Sequence, residues 1–453
     1  MREVRSPYSG EVVGEVAEQT WDDLDRALDK AVAAFDTTRR QSAFERSQIL
    51  LAAAVGIRER SEELTRLIVA EGGKPYKNAK VEVARAASTL TWAGEEAKRF
   101  TGELVRLDTE ATASGRLGLV RKFPLGVVLG ISPFNFPLNL VCHKVGPALA
   151  AGNAIVVKPA SATPLSALKL EEIIGSESMQ VVTASSKDAE RGLQDDRVAK
   201  ISFTGSSEVG WHIKSLAPRK KVTLELGGNA AVIVEPDADL AHAADRVAYG
   251  GFYQAGQSCI SVQRVLVHED VFSAFCDALV PRVEALKTGD PSDEDTDVGP
   301  LIDRGALDRV DSWVQEALAG GAHALCGAKR EDPCYLPTVL TNTAPDMKVS
   351  CNEVFGPVIT VQPYALFEEA IALANETSYG LQAGVFTNDI ERVFRAHREI
   401  EVGGVIHNDV SAFRADQMPY GGEKDSGFGR EGVRYAMDEM SETRILVLSG
   451  IEL

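Results

Sequence analysis

Three side chains that lie far apart in the sequence could together carry out chemistry on a carbonyl group. Cys259 ends the glycine-bearing stretch 251–259, Glu225 follows a short apolar run, and Asn135 lies between two prolines. A thiolate can attack a carbonyl carbon, a carboxylate can move protons, and a side-chain amide can stabilise the oxyanion. Each residue alone is a weak signal, since a lone cysteine is most often a small buried hydrophobic residue. The combination predicts acyl chemistry through a cysteine.

The composition restricts the partners of this chemistry. The chain has 66 acidic and 48 basic side chains, which gives a net charge of −18. Such a charge argues against a nucleic acid or an anionic membrane as partner, and it means that an anionic substrate needs a local basic pocket. No apolar stretch approaches the ~20 residues that span a membrane, and the N-terminus has no signal-peptide pattern. We therefore expect a cytoplasmic protein.

The cysteines also indicate a cytoplasmic protein. The 6 cysteines are scattered without C-x-x-C spacing, so neither a disulfide framework nor a zinc site is predicted. Free thiols in a chain of this size are typical of a reducing compartment. We predict no metal site.

The first part of the chain is predicted to be helical. Thr20 begins a capping box, and apolar residues follow it at helical spacing. A second helix is predicted from about Phe44 to the termination signal at 72–75, and a third from about Asn78 to Arg99. None of these helices carries an obvious site.

Short apolar runs bounded by turn residues then alternate with helical stretches, a pattern typical of a parallel sheet. The first strands are predicted at 126–131, 154–157, 200–204 and 222–226. At 205–210 a strand ends in a glycine-bearing turn that opens a helix. Such a turn can bind a phosphate through backbone N–H groups, although a plain helix-starting turn is the alternative. Trp211 and His212 stand where a P-loop requires Lys and Ser or Thr, which argues against an NTPase.

A second α/β region is predicted from Ala230 onwards. Its strands are predicted at 230–234, 264–267, 358–361, 383–386 and 404–407. Two further segments, the polar alternating residues 102–122 and the apolar residues 444–448, are predicted to be extended. An apolar strand near a terminus needs a sheet to join, in its own subunit or in a neighbour's.

Eight motifs along the chain carry a resemblance to a known family. They are SPFNFP (132–137), KPAS (158–161), FTGS (203–206), LELGG (224–228), GQSC (256–259), GPLI (299–302), EVFGP (353–357) and SYGL (378–381). In this order and spacing the chain resembles the NAD(P)-dependent aldehyde dehydrogenases along nearly its whole length. Residues 408–419 are most similar to the branch that acts on lactaldehyde and phosphonoacetaldehyde.

The resemblance implies a fold and a division of the chain. The fold class is α/β, with two parallel-sheet domains and a small β arm for oligomerisation. Residues 1–105 and 125–228 would form a Rossmann-like cofactor-binding domain, and 229–430 a catalytic domain. Residues 106–124 and 431–453 would form the arm, which predicts a homodimer or homotetramer.

The resemblance also implies roles for the residues. Cys259 would be the nucleophile that forms a thiohemiacetal, and Asn135 with the Cys259 backbone N–H would form the oxyanion hole. Glu225 would be the general base, activating the water that hydrolyses the thioester. The residues expected to contact NAD or NADP are Ser132, Pro133, Phe134, Lys158, Ser161, Gly205, Ser206, Leu226, Glu353 and Phe355.

Two further predictions concern cofactor preference and substrate. A carboxylate at position 161 would bind the ribose hydroxyls and repel a 2′-phosphate, whereas the neutral Ser161, close to Lys158, favours NADP. Arg414 is expected to line the substrate entrance, and His143 and Arg85 are predicted to converge on the same pocket. A short, hydroxylated or anionic aldehyde, similar to lactaldehyde, is the predicted substrate.

Two alternative functions stay open at this point. In a CoA-acylating dehydrogenase, CoA rather than water resolves the thioester; such relatives generally lack the carboxylate at the position of Glu225, so its presence favours hydrolysis. A non-catalytic binding protein on the same fold is the other alternative. It is kept open by the segment between Lys158 and Gly205, which is shorter than the family usually has.

Overall fold

The computed structural model describes residues 1–450, which form two large sheets, several small ones and the helices that cover them. The helices are α1 (Trp21–Thr38), α2 (Ala43–Glu59), α3 (Ser61–Gly72), α4 (Tyr76–Arg99), α5 (Asn139–Ala151), α6 (Leu165–Ile174), α7 (Ser186–Gln194), α8 (Ser207–Leu216), α9 (Leu240–Phe252), α10 (Phe272–Glu284), α11 (Arg304–Ala319), α12 (Lys348–Cys351), α13 (Phe367–Asn375), α14 (Ile390–Glu399) and α15 (Val433–Glu439). The strands are β1 (Arg2–Arg5), β2 (Val12–Val16), β3 (Glu103–Arg106), β4 (Arg116–Pro124), β5 (Val127–Ile131), β6 (Ala154–Lys158), β7 (Met179–Val181), β8 (Val198–Thr204), β9 (Lys221–Glu225), β10 (Ala230–Val234), β11 (Val262–His268), β12 (His323–Cys326), β13 (Arg330–Glu331), β14 (Cys334–Tyr335), β15 (Thr338–Thr341), β16 (Val358–Tyr364), β17 (Tyr379–Gly380), β18 (Gln382–Phe386), β19 (Gly404–His407), β20 (Glu423–Lys424), β21 (Gly427–Phe428) and β22 (Ser441–Ser449).

The N-terminal helices follow the sequence signals, with one correction. The Asp23 carboxylate accepts hydrogen bonds from the Thr20 backbone (2.8 Å) and hydroxyl (3.1 Å), so α1 begins at the predicted capping box. The single helix predicted from Phe44 was wrong, because α2 ends at Glu59 and α3 starts anew after Arg60. Neither glycine nor proline marks this break. The new start is favoured by an acidic first turn, which suits the positive end of a helix.

The first large sheet has the order β21-β9-β8-β5-β6-β7, and its five strands from β5 to β9 run parallel. Helix α5 packs against it with all 13 of its residues buried. Strand β21 arrives from much later in the chain and pairs antiparallel with β9, so that Gly427 lies opposite Glu225. The late segment thereby joins the sheet that carries the predicted base.

The second large sheet has the order β12-β15-β16-β11-β10-β18-β19, in which only β12 runs antiparallel to its neighbour. Strands β10, β11, β16, β18 and β19 are those predicted from the apolar runs after Ala230. Strand β10 is buried over its whole length, as expected for a central strand of a parallel sheet covered on both faces.

A third, antiparallel sheet has the order β22-β4-β3. Strand β22 pairs with β4 from Ser441 opposite Pro124 to Ser449 opposite Arg116, so the predicted terminal strand finds a sheet in its own chain. It forms an edge on which Ile445 and Leu446 are each 54% exposed. Residues 451–453 of the predicted arm lie outside the described residues, and the division into domains stays a prediction.

None of the helices within residues 1–450 has the length and apolar character needed to cross a membrane. The same residues contain no group of three or more His, Cys, Asp or Glu side chains placed to hold a metal ion. All the cysteines are free thiols.

Candidate active site

A cavity of about 700 Å³ is lined by residues that follow strands of the first large sheet and by residues of the segments that connect the strands of the second. All the predicted catalytic residues (Asn135, Glu225, Cys259) and cofactor-contacting residues (Ser132, Pro133, Phe134, Lys158, Ser161, Gly205, Ser206, Leu226, Glu353, Phe355) line it. The structure therefore brings together side chains that are separated by nearly half of the sequence.

Cys259 is presented to this cavity by a strained turn. After α9 ends, Gln254 and Ala255 adopt left-handed backbone angles (φ 54° and 55°), followed by Gly256 at φ 68°. Such angles are costly for residues other than glycine and persist only where packing enforces them. A Cβ at position 256 would lie 2.1 Å from the Gly356 carbonyl oxygen, so the turn also requires that glycine.

The surroundings of Cys259 disfavour its charged form. Burial raises the pKa of the Cys259 thiol to about 11, and the carboxylates of Glu353 and Glu225 act in the same direction. A hydrogen bond with Tyr420 and the charge of Arg414 act in the opposite direction. The Tyr420 hydroxyl lies 3.1 Å from Cys259 Sγ. The thiol needs help to ionise, and Tyr420 is a group that the sequence analysis had not singled out.

Asn135 lies in the loop between β5 and α5 and is tied to the turn of Cys259. Its Nδ2 donates to the Gln257 carbonyl oxygen (3.0 Å), and the Gln254 side chain donates to the Asn135 carbonyl oxygen. Because a side-chain amide has two N–H groups, one remains for a substrate oxygen. These bonds keep the amide and the thiol in a fixed relation.

Glu225 ends β9 and is only 3% exposed. Within the described residues, neither of its carboxylate oxygens has a hydrogen-bond partner. Burial, and then the neighbouring Glu431 carboxylate, raise its pKa well above the ordinary value, while Arg414 and Lys144 oppose this shift. A carboxylate with a raised pKa and no protein partner is suited to take a proton from water.

Glu431 belongs to a buried network that the sequence analysis missed. Its carboxylate accepts hydrogen bonds from Lys144 Nζ and from an Arg414 Nη, both at 3.1 Å. Chiefly through Lys144, these cations hold the Glu431 pKa at about 2. One signal was available, since Lys144 is a charged residue in the apolar and wholly buried α5.

Glu353 and Phe355 form the wall facing Cys259. Glu353 accepts a hydrogen bond from the Gly228 backbone (2.9 Å), and burial raises its pKa to about 7. A Cβ at position 227 would lie 2.3 Å from a Glu353 carboxylate oxygen, which explains the glycine there. The Phe355 ring lies edge-on to that of Phe134, with centroids 5.8 Å apart.

The other end of the cavity has features that fit a dinucleotide. Lys158 ends β6 with 8% exposure, and Ser206 caps the start of α8, whose N-terminus opens into the cavity. Ser132 Oγ is buried without a partner in the described chain. A helix N-terminus suits a pyrophosphate, and the volume lies within the range of roughly 300–1,000 Å³ typical of ligand pockets. The residues present therefore fit NAD or NADP.

A second, smaller cavity of about 190 Å³ is lined by Arg85 and Arg414, together with Tyr253 and Gln254. Two residues of the turn that leads to Cys259 thus line this cavity, while Cys259 itself lines the larger one. The Tyr253 hydroxyl donates to Ser258 Oγ (2.6 Å), directly before the cysteine. Both cavities therefore border the turn that carries the nucleophile.

The three residues predicted to bind substrate are linked through Asp416. This carboxylate accepts from Arg85 (2.8 Å) and pairs with His143 Nε2 (3.2 Å), and an Arg414 Nη lies 3.4 Å from His143 Nδ1. His143 itself has a fully buried side chain and lines neither cavity. Burial, and then Arg414, lower the His143 pKa to about 4, so the ring is neutral near pH 7. Its position suits holding Asp416 and Arg414 rather than touching a substrate.

Comparison with known proteins agrees with this geometry. The model of the Aldehyde dehydrogenase family matches residues 1–446. The 3-sulfolactaldehyde dehydrogenase of Priestia aryabhattai is 46% identical over 453 residues, covering 99% of this chain and 94% of that protein.

Two solved structures show the same fold. Aldehyde dehydrogenase 21 from Physcomitrella patens, in complex with the reaction product succinate, superposes with a TM-score of 0.97 at 43% identity, covering 99% of this chain and 95% of that one. The glyceraldehyde-3-phosphate dehydrogenase GapN from Methanocaldococcus jannaschii, complexed with NADP, has a TM-score of 0.95 at 38% identity, covering 99% and 98%. The predicted α/β fold class is confirmed, and the chain belongs to the aldehyde dehydrogenase family.

Proposed function

We propose that the protein oxidises a short aldehyde carrying an anionic or hydroxyl group to its carboxylate, with NADP preferred over NAD. The observation that carries this proposal is the meeting of three groups in one cavity: the Cys259 thiol, the unpartnered Glu225 carboxylate and the Asn135 amide. A second cavity lined by arginines adjoins the same turn.

The residues act in a defined order. The Cys259 thiolate attacks the aldehyde carbon, and the oxygen that gains negative charge is stabilised by the Asn135 side chain and the Cys259 backbone N–H. When bound, NAD(P) supplies the hydride acceptor that turns the resulting thiohemiacetal into a thioester. Glu225 then takes a proton from the water that attacks the thioester, the C–S bond breaks, and the carboxylate leaves.

The substrate class rests on the second cavity. Arg85 and Arg414 line it, and a small volume favours a short chain. In an acidic protein, a local group of arginines is what holds an anionic substrate. The names of the similar proteins point the same way, because sulfolactaldehyde, succinate and glyceraldehyde-3-phosphate are all anionic. We propose that the anionic or hydroxylated end of the aldehyde lies in this cavity.

The cofactor preference rests on Ser161 and Lys158, which line the same end of the large cavity. A neutral side chain at position 161 does not repel a 2′-phosphate, and the lysine can pair with it. The similar Methanocaldococcus jannaschii enzyme is complexed with NADP. A cytoplasmic location and assembly into a homodimer or homotetramer remain predictions.

The test uses Cys259→Ala, with Cys351→Ala as the matched control because Cys351 is an exposed thiol that does not line the cavity. Purified variants are mixed with NADP and a short anionic aldehyde, and reduced cofactor is followed by absorbance. We expect no turnover in Cys259→Ala and wild-type turnover in Cys351→Ala, with similar melting temperatures, since removing one thiol costs little stability. Dehydrogenase activity in a clean Cys259→Ala preparation would overturn the proposal.

The same assay separates water from CoA as the group that resolves the thioester. We expect the free acid as product whether or not CoA is present, because the Glu225 carboxylate is in place to activate water. Formation of an acyl-CoA would assign the protein to the acylating class.

A further inference from the structure

Tyr420 is held at three points beside the thiol of Cys259. Its backbone exchanges two hydrogen bonds with that of Glu431, at 3.0 and 2.6 Å. The Arg414 guanidinium lies 3.7 Å from the centre of its ring, and its hydroxyl lies 3.1 Å from Cys259 Sγ. The residue is 3% exposed. The position of the hydroxyl is therefore set by the protein before any substrate binds.

The direction of the hydrogen bond follows from the neighbours. A cation over an aromatic face draws electron density from the ring, which makes the phenol a better donor and a poorer acceptor. Burial raises the pKa of Tyr420 well above its usual value, so the hydroxyl keeps its proton. A thiolate can only accept. Once Cys259 ionises, the O–H of Tyr420 can only donate to the sulfur.

The thiolate needs such a donor. The carboxylates that face the sulfur, Glu225 and Glu353, oppose a negative charge on it, and burial removes water that would solvate it. The charge of Arg414, which lies over the ring of Tyr420, acts in favour of the thiolate. Hydrogen bonds to ionised groups are roughly twice as strong as neutral ones.

We propose that Tyr420 is a further catalytic residue, which donates a hydrogen bond to Cys259 Sγ, stabilises the thiolate and aims it before attack on the aldehyde. The thiol proton leaves to water in the cavity, and Tyr420 keeps its own proton throughout. The proposal rests on the proposed function only in that Cys259 is the nucleophile.

The test measures the thiol directly and needs no turnover. Cofactor-free enzyme is treated with iodoacetamide over a range of pH, and alkylation of the Cys259 peptide is followed by mass spectrometry. In this reaction the Cys259 sulfur forms a bond to the reagent's carbon, and iodide leaves. In Tyr420→Phe the ring and its contact with Arg414 remain, and only the hydroxyl is lost. We expect alkylation at mildly alkaline pH to slow about tenfold, with the midpoint about one pH unit higher and the plateau at high pH unchanged.

The control is Tyr335→Phe, which removes a buried hydroxyl elsewhere in the chain and is expected to leave the midpoint as in the wild type. A second variant keeps the hydroxyl: 3-fluorotyrosine at position 420 is a more acidic phenol and should lower the midpoint. An unchanged midpoint in a folded Tyr420→Phe enzyme, or a change of plateau alone, would overturn the proposal. If Cys259→Ala were still an active dehydrogenase, the proposed function would fail while this titration could still be read.

Discussion

At the scale of single residues, two carboxylates in one buried region have their pKa values shifted in opposite directions. Glu431 is held ionised by Lys144 and Arg414, while Glu225, without a hydrogen-bond partner in the described chain, has its pKa raised. Pairs of groups whose environments separate their pKa values are a common source of acid–base function. The charge of Glu431 is part of what sets the affinity of Glu225 for a proton.

This arrangement predicts a pH dependence. As the proposed general base, Glu225 can take a proton only when ionised, so hydrolysis of the thioester should fall as the pH drops through its raised pKa, well above the ordinary 4.5. In Glu431→Gln the like charge is gone and Lys144 and Arg414 are less compensated, so we expect the acid limb of kcat to move to lower pH. The measurement is kcat against pH for wild type and variant. A limb that stays in place would show that Glu431 does not act on Glu225.

The arginines of the second cavity differ in how strongly they are already paired with carboxylates of the protein. Arg414 is paired with Glu431 and packed on Tyr420, so replacing it disturbs the catalytic side as well. Arg85 is 27% exposed and gives one hydrogen bond to Asp416. Arg246 on the rim is held by both oxygens of Asp409, at 2.6 and 3.2 Å. Arg85 is therefore the cleaner residue for testing substrate charge.

We expect Arg85→Gln to raise KM about tenfold for an anionic aldehyde, because the loss of one charged hydrogen bond weakens binding by about that factor. The KM for a neutral aldehyde of similar length should be nearly unchanged. Arg246→Gln is the control and should have a smaller effect, because the Arg246 guanidinium is already held by both oxygens of Asp409, whereas Arg85 gives a single hydrogen bond to Asp416. Initial rates on the two aldehydes give the comparison. Equal losses on both would mean that Arg85 shapes the cavity and does not bind the substrate's charge.

At the scale of elements, the start of helix α5 fixes the loop that carries Asn135. One oxygen of the buried Glu82 carboxylate accepts from the backbone N–H groups of Leu138 and Asn139, at 3.0 and 3.1 Å. The other oxygen pairs with the buried Lys74, whose Nζ lies 3.8 Å from the centre of the Phe136 ring. A carboxylate at a helix N-terminus satisfies donors that the helix leaves free.

A double-mutant cycle tests this cap. Glu82→Gln keeps an oxygen for the backbone donors but leaves the charge of Lys74 buried and unpaired, so we expect a loss of about 3 kcal/mol in the free energy of unfolding. Adding Lys74→Met should recover part of that loss. Denaturant unfolding of the single and double variants gives the coupling energy. Strict additivity would show that the two side chains do not act as a pair.

The sequence predicted this level of structure well where signals are local. The capping box at Thr20 and the apolar strand at 126–131 are read from neighbouring residues, and both were confirmed. The break at Arg60 has no such marker. The bonds of Glu431 to Lys144 and Arg414 join residues that meet only in three dimensions, so composition and spacing could not reveal them.

At the scale of the whole molecule, the sheet β22-β4-β3 leaves apolar side chains in solvent. Ile445, Leu446 and Val447 are between 45% and 54% exposed, and Leu104 on β3 is 61% exposed. An exposed, apolar edge strand normally pairs or is covered. We propose that a second copy of the chain covers this sheet.

The test is to place charge on that strand. We expect Ile445→Glu combined with Val447→Glu to reduce the assembly to monomers, because burying two carboxylates in an interface is unfavourable. Light scattering after gel filtration gives the mass. Val55→Glu, at a 47% exposed apolar position on helix α2, is the control and should leave the mass unchanged. An unchanged mass in the double variant would place the interface elsewhere.

The position of strand β21 matters when substrate specificity is exchanged between related enzymes by replacing a segment of the chain. The segment that leads from Arg414 to β21 also carries Tyr420, and β21 lies beside Glu225 in the register of the first sheet. A cassette that ends before Tyr420 and keeps Arg414 would exchange other residues near the second cavity and leave these neighbours of the thiol and the proposed base in place. A longer cassette would also change the surroundings of Cys259 and Glu225. A change in substrate selectivity would then be accompanied by a change in the chemical step.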